Sequence, residues 1–176
     1  MILVAALMAL ALWAEGRLLF CSCGEFAVWV GDTCSSRNSQ QLFDPYSFTH
    51  VLHGFLLFWL TAFVFRSSSS AWQLSVAAIL EALWEVLENS RFIIDRYRAQ
   101  TAALGYEGDT IVNALGDLFC AVIGFLIARR LGWARSLVLF LFFELVLLVW
   151  IRDSLLLQIL MLVYPINGLK IWQLCP

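Results

Sequence analysis

The chain has 176 residues, 62% of them hydrophobic and only 14% charged, with a mean hydropathy of +0.84. Soluble domains run at roughly 45–50% apolar and about 25% charged, so this composition argues against an ordinary soluble enzyme. The net charge of −2, with no basic stripe, excludes nucleic acid as a partner, because nothing is available to displace counterions.

A helix needs about 20 residues to cross a hydrocarbon core roughly 30 Å thick. Met1–Ala14 is apolar but short, and Glu15-Gly16-Arg17 closes it. It lacks a basic leader and a small-x-small cleavage site, so residues 1–15 read as a short signal-anchor helix. An outer loop, 21–46, follows with Cys21, Cys23 and Cys34. Pro45 marks entry into the second span, Ser47–Phe65. The serine run Ser67–Ser70 makes a loop, and Trp72–Asn89 forms the third span. A charged loop runs from Arg91 to Asp109. The fourth span covers Thr110–Ala128 and stops at Arg129-Arg130; the fifth covers Ala134–Ile151. Arg152-Asp153 interrupts, and a last span runs over Ser154–Trp172, where Pro165 and Gly168 should kink it or end it early. The expected fold is all-α: one polytopic transmembrane helix bundle of five to six spans, with the bundle itself over 47–173 and no second domain.

With the N-terminus cytoplasmic, Arg66, Arg129, Arg130, Arg135 and Lys170 lie inside, and Arg17, Arg37, Arg91, Arg96, Arg98 and Arg152 outside. Positive charge alone therefore does not set the orientation. Two features favour this arrangement: the Arg129–Arg135 loop has no acidic residue, and three of the 5 cysteines fall in the first outer loop, where a periplasm could oxidise them. Cys34 is expected to pair with Cys21 or Cys23, because a bridge between two cysteines one residue apart is strained.

In this topology the ionisable residues reach similar depths. His50 and His53 share one face near the outer start of the second span, just after Asp44. Glu81, Glu85 and Glu88 recur at i, i+4 and i+7 on the third, with Glu81 roughly 10 Å deeper than Glu88. Asp109, Asn113 and Asp117 recur at i, i+4 and i+8 on the fourth. An ionised side chain at the bilayer centre costs about 2.5–3.5 kcal/mol, so Glu81, Glu85, Asp117 and Glu144 should face the bundle interior.

Two readings of these groups stand open. Asp44, His50, His53, Glu85, Glu88, Asp109, Asn113 and Asp117 are candidates for an intramembrane catalytic site acting on a lipid-linked or envelope substrate at the outer leaflet. A divalent metal could be its cofactor, with His50, His53, Glu85 and Asp109 as ligands, since imidazole and carboxylate suit Zn, Mn or Fe. Alternatively the same groups brace helix packing in a non-catalytic subunit or assembly factor of a larger membrane complex, one that could bind haem, quinone or pigment. Arg96, Arg98 and Arg152 could receive an anionic headgroup, or sit in an interfacial loop with internal ion pairs. No Ser-His-Asp order and no phosphate-cradling glycine loop is present.

Combined motifs carry a family resemblance. These are Gly16-Arg17…Cys21-Ser22-Cys23-Gly24; Asn38-Ser39-Gln40; Asp44-x-Tyr46-Ser47-x-x-His50-x-x-His53-Gly54; Trp84-Glu85-x-x-Glu88-Asn89-Ser90; Ile94-Asp95-Arg96-Tyr97-Arg98; Gly108-Asp109 with Asn113 and Asp117; and Ile151-Arg152-Asp153. Together they resemble the DUF2585/UPF0314 family of proteobacterial inner-membrane proteins, over Gly16 to Gln173. Gln41 stands where the family pattern has His. The resemblance implies a multi-pass protein of the bacterial inner membrane and supplies no activity. A looser resemblance is to VanZ-like membrane proteins, named for a glycopeptide-resistance protein. It rests on Asp44, His50 or His53, Glu81 or Glu85, Asp109, Asn113 and Gly116, and implies envelope biology.

Overall fold

A computed structural model describes residues 1–101 and 105–174. Seven helices account for its regular structure: α1 (Ile2–Ala14), α2 (Ser47–Val64), α3 (Ser70–Glu88), α4 (Arg91–Gln100), α5 (Ile111–Ile151), α6 (Leu155–Val163) and α7 (Asn167–Gln173). The described residues are thus all-α, apart from an isolated bridge between Trp29 and Phe43. Local chemistry sets the helix starts. Ser69, Ser90, Thr110 and Ser154 each precede a helix in extended backbone and accept a hydrogen bond from an N–H of its first turn.

Two helices are long and apolar enough to cross a membrane by length and composition, α2 and α5. At 41 residues α5 would reach about 60 Å, twice a bilayer core, if it were straight. It is not straight. Gly132 leaves helical geometry at φ 75°, ψ 177°, in a left-handed region that glycine enters without a Cβ penalty. Contacts to α2 show the consequence. Along residues 111–131 they rise together with α2: Ser47 meets Asp117, and Phe58 meets Phe125. Along 133–151 they run the other way: Trp59 Nε1 donates to Ser136 Oγ (2.9 Å), Phe55 packs on Phe140, and Phe48 packs on Phe143 and Trp150. α5 is therefore a helical hairpin with α2 against both arms. The turn falls at Gly132, just past the Arg129-Arg130 pair that marked the expected stop.

Two apolar clusters hold this arrangement. Leu52, Phe55, Phe58, Phe125, Phe140, Leu147 and Leu155 join α2 to both arms of α5 and to α6. Met8, Leu12, Ala78, Ala82, Ile111, Ala114 and Leu118 join α1 and α3 to the first arm. Outside these clusters the second arm leaves Val138, Phe142, Leu145 and Val149 exposed.

One segment departs from expectation, and another is cut short where its proline was expected to act. The charged Arg91–Asp109 loop contains a helix, α4, which buries Ile93, Ile94 and Tyr97 on one face and keeps its charges on the other. The last span does not form. α6 ends before Pro165, and α7 folds back so that Gln173 Nε2 donates to Asp153 Oδ1 (3.0 Å) and Arg152 donates to the Trp172 carbonyl. A proline without an N–H cannot continue the α6 ladder, and the chain returns to the end it came from.

The loop expected on the outer side caps the bundle. The carbonyls of Leu18 and Leu19 accept from the N–H groups of Ile111 and Val112, two of the orphan donors that open α5. Gln40 reaches the Gly108 carbonyl (2.8 Å), and Arg17 reaches that of Glu107. Cys21 pairs with Cys23, their Cα atoms 5.1 Å apart, which corrects the expected bridge from Cys34 to one of them.

Candidate functional site

Helical phase and close backbone packing together build the site. Gly54 on α2 lies against Ala121, Gly124 and Phe125 of α5, and Gly124 lies against Val51, so the two backbones meet where any side chain would intervene. His50 and His53, one turn apart, then point from α2 toward α3. Glu81 and Glu85, also one turn apart, point back. His50 Nδ1 lies 2.8 Å from Glu81 Oε1 and 3.1 Å from Glu85 Oε1, and His53 Nδ1 lies 2.9 Å from the same Glu81 Oε1. From the first arm of α5, Asp117 Oδ2 faces His50 Nε2 at 3.9 Å, and Asp117 Oδ1 accepts from Ser47 Oγ at 2.8 Å.

The cluster is closed but not self-sufficient. Glu85 is 0% exposed, yet among the described residues neither of its oxygens receives a well-aligned hydrogen bond, His50 Nδ1 approaching Oε1 at 3.1 Å off that alignment. Asn113 Nδ2 and Trp84 Nε1 are likewise buried and unpartnered. His53, beside Trp84, is the less enclosed of the two imidazoles. An imidazole flanked by carboxylates can take a proton on one side and release it on the other, or the set can hold a cation.

The remaining candidates lie around this cluster. Glu88 is half-buried, with a carboxylate oxygen within 4.8 Å of ligand atoms of His50 and Glu85. Asp44 is clamped by the N–H groups of Ser39 and Tyr46, each 2.8 Å away. Burial pushes its carboxyl up, and those donors oppose the shift. Asp109 stands apart from the imidazoles as a ligand. Asn89 Nδ2 donates to it at 2.7 Å, Tyr106 OH donates at 3.0 Å, and Asn89 Oδ1 accepts from its N–H. Burial raises its carboxyl, and the Asn89 and Tyr106 bonds pull it down. The arginines are occupied by backbone: Arg96 donates to the Leu162 carbonyl at 2.6 Å, Arg98 to that of Tyr106, and Arg152 to that of Trp172.

Of the four residues read as metal ligands, His50, His53 and Glu85 are brought together, and Glu81 takes the place foreseen for Asp109. Glu81 carries the same stripe as Glu85 one turn deeper, so periodicity had placed it on the right face. Ser47 was legible in principle, three residues before His50 on the same face. Asn89 and Tyr106 carried no such signal, because they act through a loop.

An all-helical protein with a buried imidazole–carboxylate cluster between two helices of one hairpin-backed bundle is the class that fold and site define. The chain belongs to the family described as "Protein of unknown function (DUF2585)", whose family model matches residues 12–175. It is similar to UPF0314 proteins of Brucella anthropi, at 41% identity over 97% of this chain and 86% of the relative, and of Sphingopyxis alaskensis, at 43% over 96% and 89%. A UPF0314 protein of Novosphingobium aromaticivorans is 44% identical over 90% of this chain and 82% of its own length. No solved structure matches the chain.

Proposed function

We propose that this is a multi-pass bacterial inner-membrane protein forming one membrane domain, with a cytoplasmic N-terminus and an enzymatic site in the outer half of the bundle. The crossing segments in this reading are α1, α2, α3 and the two arms of α5, with α6 and α7 returning to the outer face. The apolar side chains left exposed on the second arm of α5 then meet lipid, which removes the cost of presenting them to water. The substrate is a lipid-linked or envelope molecule entering from the outer leaflet, in keeping with the VanZ-like pattern of acids and imidazoles.

One observation carries the reading: Glu85, fully buried, meets no well-aligned donor among the described residues and sits 3.1 Å from the His50 imidazole. A bundle that needed only bracing would leave no buried carboxylate unsatisfied, because each such group costs several kcal/mol. Groups held ready for chemistry are where such imbalance is tolerated. The test compares envelope lipids of three strains: wild type, one lacking the protein, and one carrying Glu85→Gln. The deletion and the variant should accumulate the same lipid-linked species. Identical profiles in all three would remove the enzymatic reading.

A second reading has its own support. His50 is 7% exposed and Glu81 2%, so the cluster has little direct opening. As a non-catalytic subunit the protein would use the cluster as an internal tie and would co-purify with a larger membrane complex in mild detergent.

A further inference from the structure

We infer that His50, His53 and Glu81 bind a divalent transition-metal ion, with Glu85 beside it supplying the second negative charge. The inference concerns the site named above but not its reaction, and it stands whether the metal is catalytic or structural.

The hydrogen bonds present do not satisfy this cluster. A ring Nδ1 carries one proton or one lone pair. His50 Nδ1 nonetheless faces two carboxylate oxygens, Glu81 Oε1 at 2.8 Å and Glu85 Oε1 at 3.1 Å. Glu81 Oε1 in turn faces a second imidazole, His53 Nδ1, at 2.9 Å. The outcome is a Glu85 carboxylate, 0% exposed, whose oxygens meet no well-aligned donor among the described residues. A cation among these atoms serves all of them at once.

The geometry suits such an ion. One donor atom each from His50, His53 and Glu81 lies within 4.8 Å of the others, and the set His50, Glu85 and Glu88 converges equally. Ligands on bonds of about 2.0–2.2 Å around a tetrahedral ion stand about 3.3 Å apart, a few tenths of an ångström wider than the separations here. Charge agrees as well. A divalent ion offsets the charge of Glu81 and Glu85, which would be costly without compensation inside an apolar bundle. The surroundings also agree. A metal-bound histidine usually turns its other nitrogen toward a carboxylate, and His50 Nε2 faces Asp117 Oδ2 at 3.9 Å, with Asp117 itself held by Ser47. Two imidazoles with carboxylates favour Zn, Mn or Fe over Ca or Mg.

The experiment uses the full-length protein in detergent, stripped with chelator and titrated with Co²⁺ and then with Zn²⁺. Wild type should bind about one Co²⁺ per chain with visible ligand-field absorption, and Zn²⁺ should displace it. His53→Ala should weaken Co²⁺ binding at least a hundredfold. Glu85→Gln, nearly isosteric and so a safeguard should His53→Ala fail to fold, should weaken it at least tenfold. Metal analysis of unstripped wild type should find one transition metal in stoichiometric amount. Wild type that binds neither ion overturns the inference, as do variants that hold Co²⁺ as tightly as wild type. Metal binding with unchanged envelope lipids would keep this inference and remove the enzymatic reading; altered lipids without metal binding would do the reverse.

Discussion

Replacing Gly54 with alanine should damage the site without touching any of its functional groups. An added Cβ would lie 2.5 Å from Phe125 N and 2.9 Å from the Gly124 carbonyl carbon, with the Ala121 carbonyl oxygen closer still. All three are backbone atoms in a helix, so none can rotate away. Ordinary contact begins at 3.4 Å, and relief of the Phe125 clash alone parts α2 from α5 by 3.4 − 2.5 = 0.9 Å. A gap of that size forfeits roughly a quarter to a half of each dispersion contact across the seam. It also stretches the Ser47–Asp117 bond from 2.8 Å to about 3.7 Å, beyond hydrogen-bonding range. Overpacking costs about 1–3 kcal/mol, and a lost bond to a buried carboxylate about as much, so Gly54→Ala should destabilise the protein by about 3 kcal/mol. Unfolding by SDS from mild-detergent micelles, followed by tryptophan fluorescence, measures this directly. Gly168→Ala is the control, since no described residue would come within 4 Å of its added Cβ, and it should stay within about 0.5 kcal/mol of wild type. If Gly54→Ala also stays within about 0.5 kcal/mol, the close α2–α5 crossing is not what positions the cluster.

Reporter fusions should read cytoplasmic after Arg130 and periplasmic near Ser36; the opposite result at both would invert the proposed topology. Peptide mapping without reduction should recover Cys21 linked to Cys23, and a link from Cys34 to either would contradict the structure. Stability should fall as pH rises from about 4 toward 7. Burial lifts the Asp153 carboxyl from 3.8 to about 7, so the folded state keeps a proton that the unfolded chain has already lost, and the benefit is spent once pH passes 7. The ceiling is about 4 kcal/mol at 1.36 kcal/mol per unit, and screening at the bundle edge should leave about 1–2 kcal/mol. Melting curves at pH 5.5 and 8.5 test the sign. Asp153→Asn should make the slope shallower, with Asp44 and Asp109, which shift the same way, keeping part of it. Wild type that is more stable at pH 8.5 would refute the assignment.

What could be read in advance follows from which interactions are local. Helical period fixed the shared faces of His50 and His53 and of Glu81 and Glu85, and the cost of leaving buried ionisable groups unpaired turned those faces toward each other. Hence much of the cluster is visible in the sequence alone. Asp109 shared depth and phase with the cluster, yet Asn89 at the end of α3 and Tyr106 in the following loop bind it instead. Loop geometry set that outcome, and periodicity carries no information about loops. The last apolar stretch ends early at Pro165, as its sequence suggested; the return that the Gln173–Asp153 bond fastens is a long-range contact that hydropathy does not carry. α4 was hidden by its charges, because a short helix buries only Ile93, Ile94 and Tyr97 and leaves its charged residues, with Phe92, outside. The sharpest limit is Glu85. Sequence can say that it faces inward, and energetics can say that it must be met there. Only the fold reveals that His50 is already engaged by Glu81 and that, among the described residues, no donor meets the Glu85 oxygens in hydrogen-bonding geometry. That imbalance, rather than the gathering of polar residues, distinguishes a site from a tie between helices.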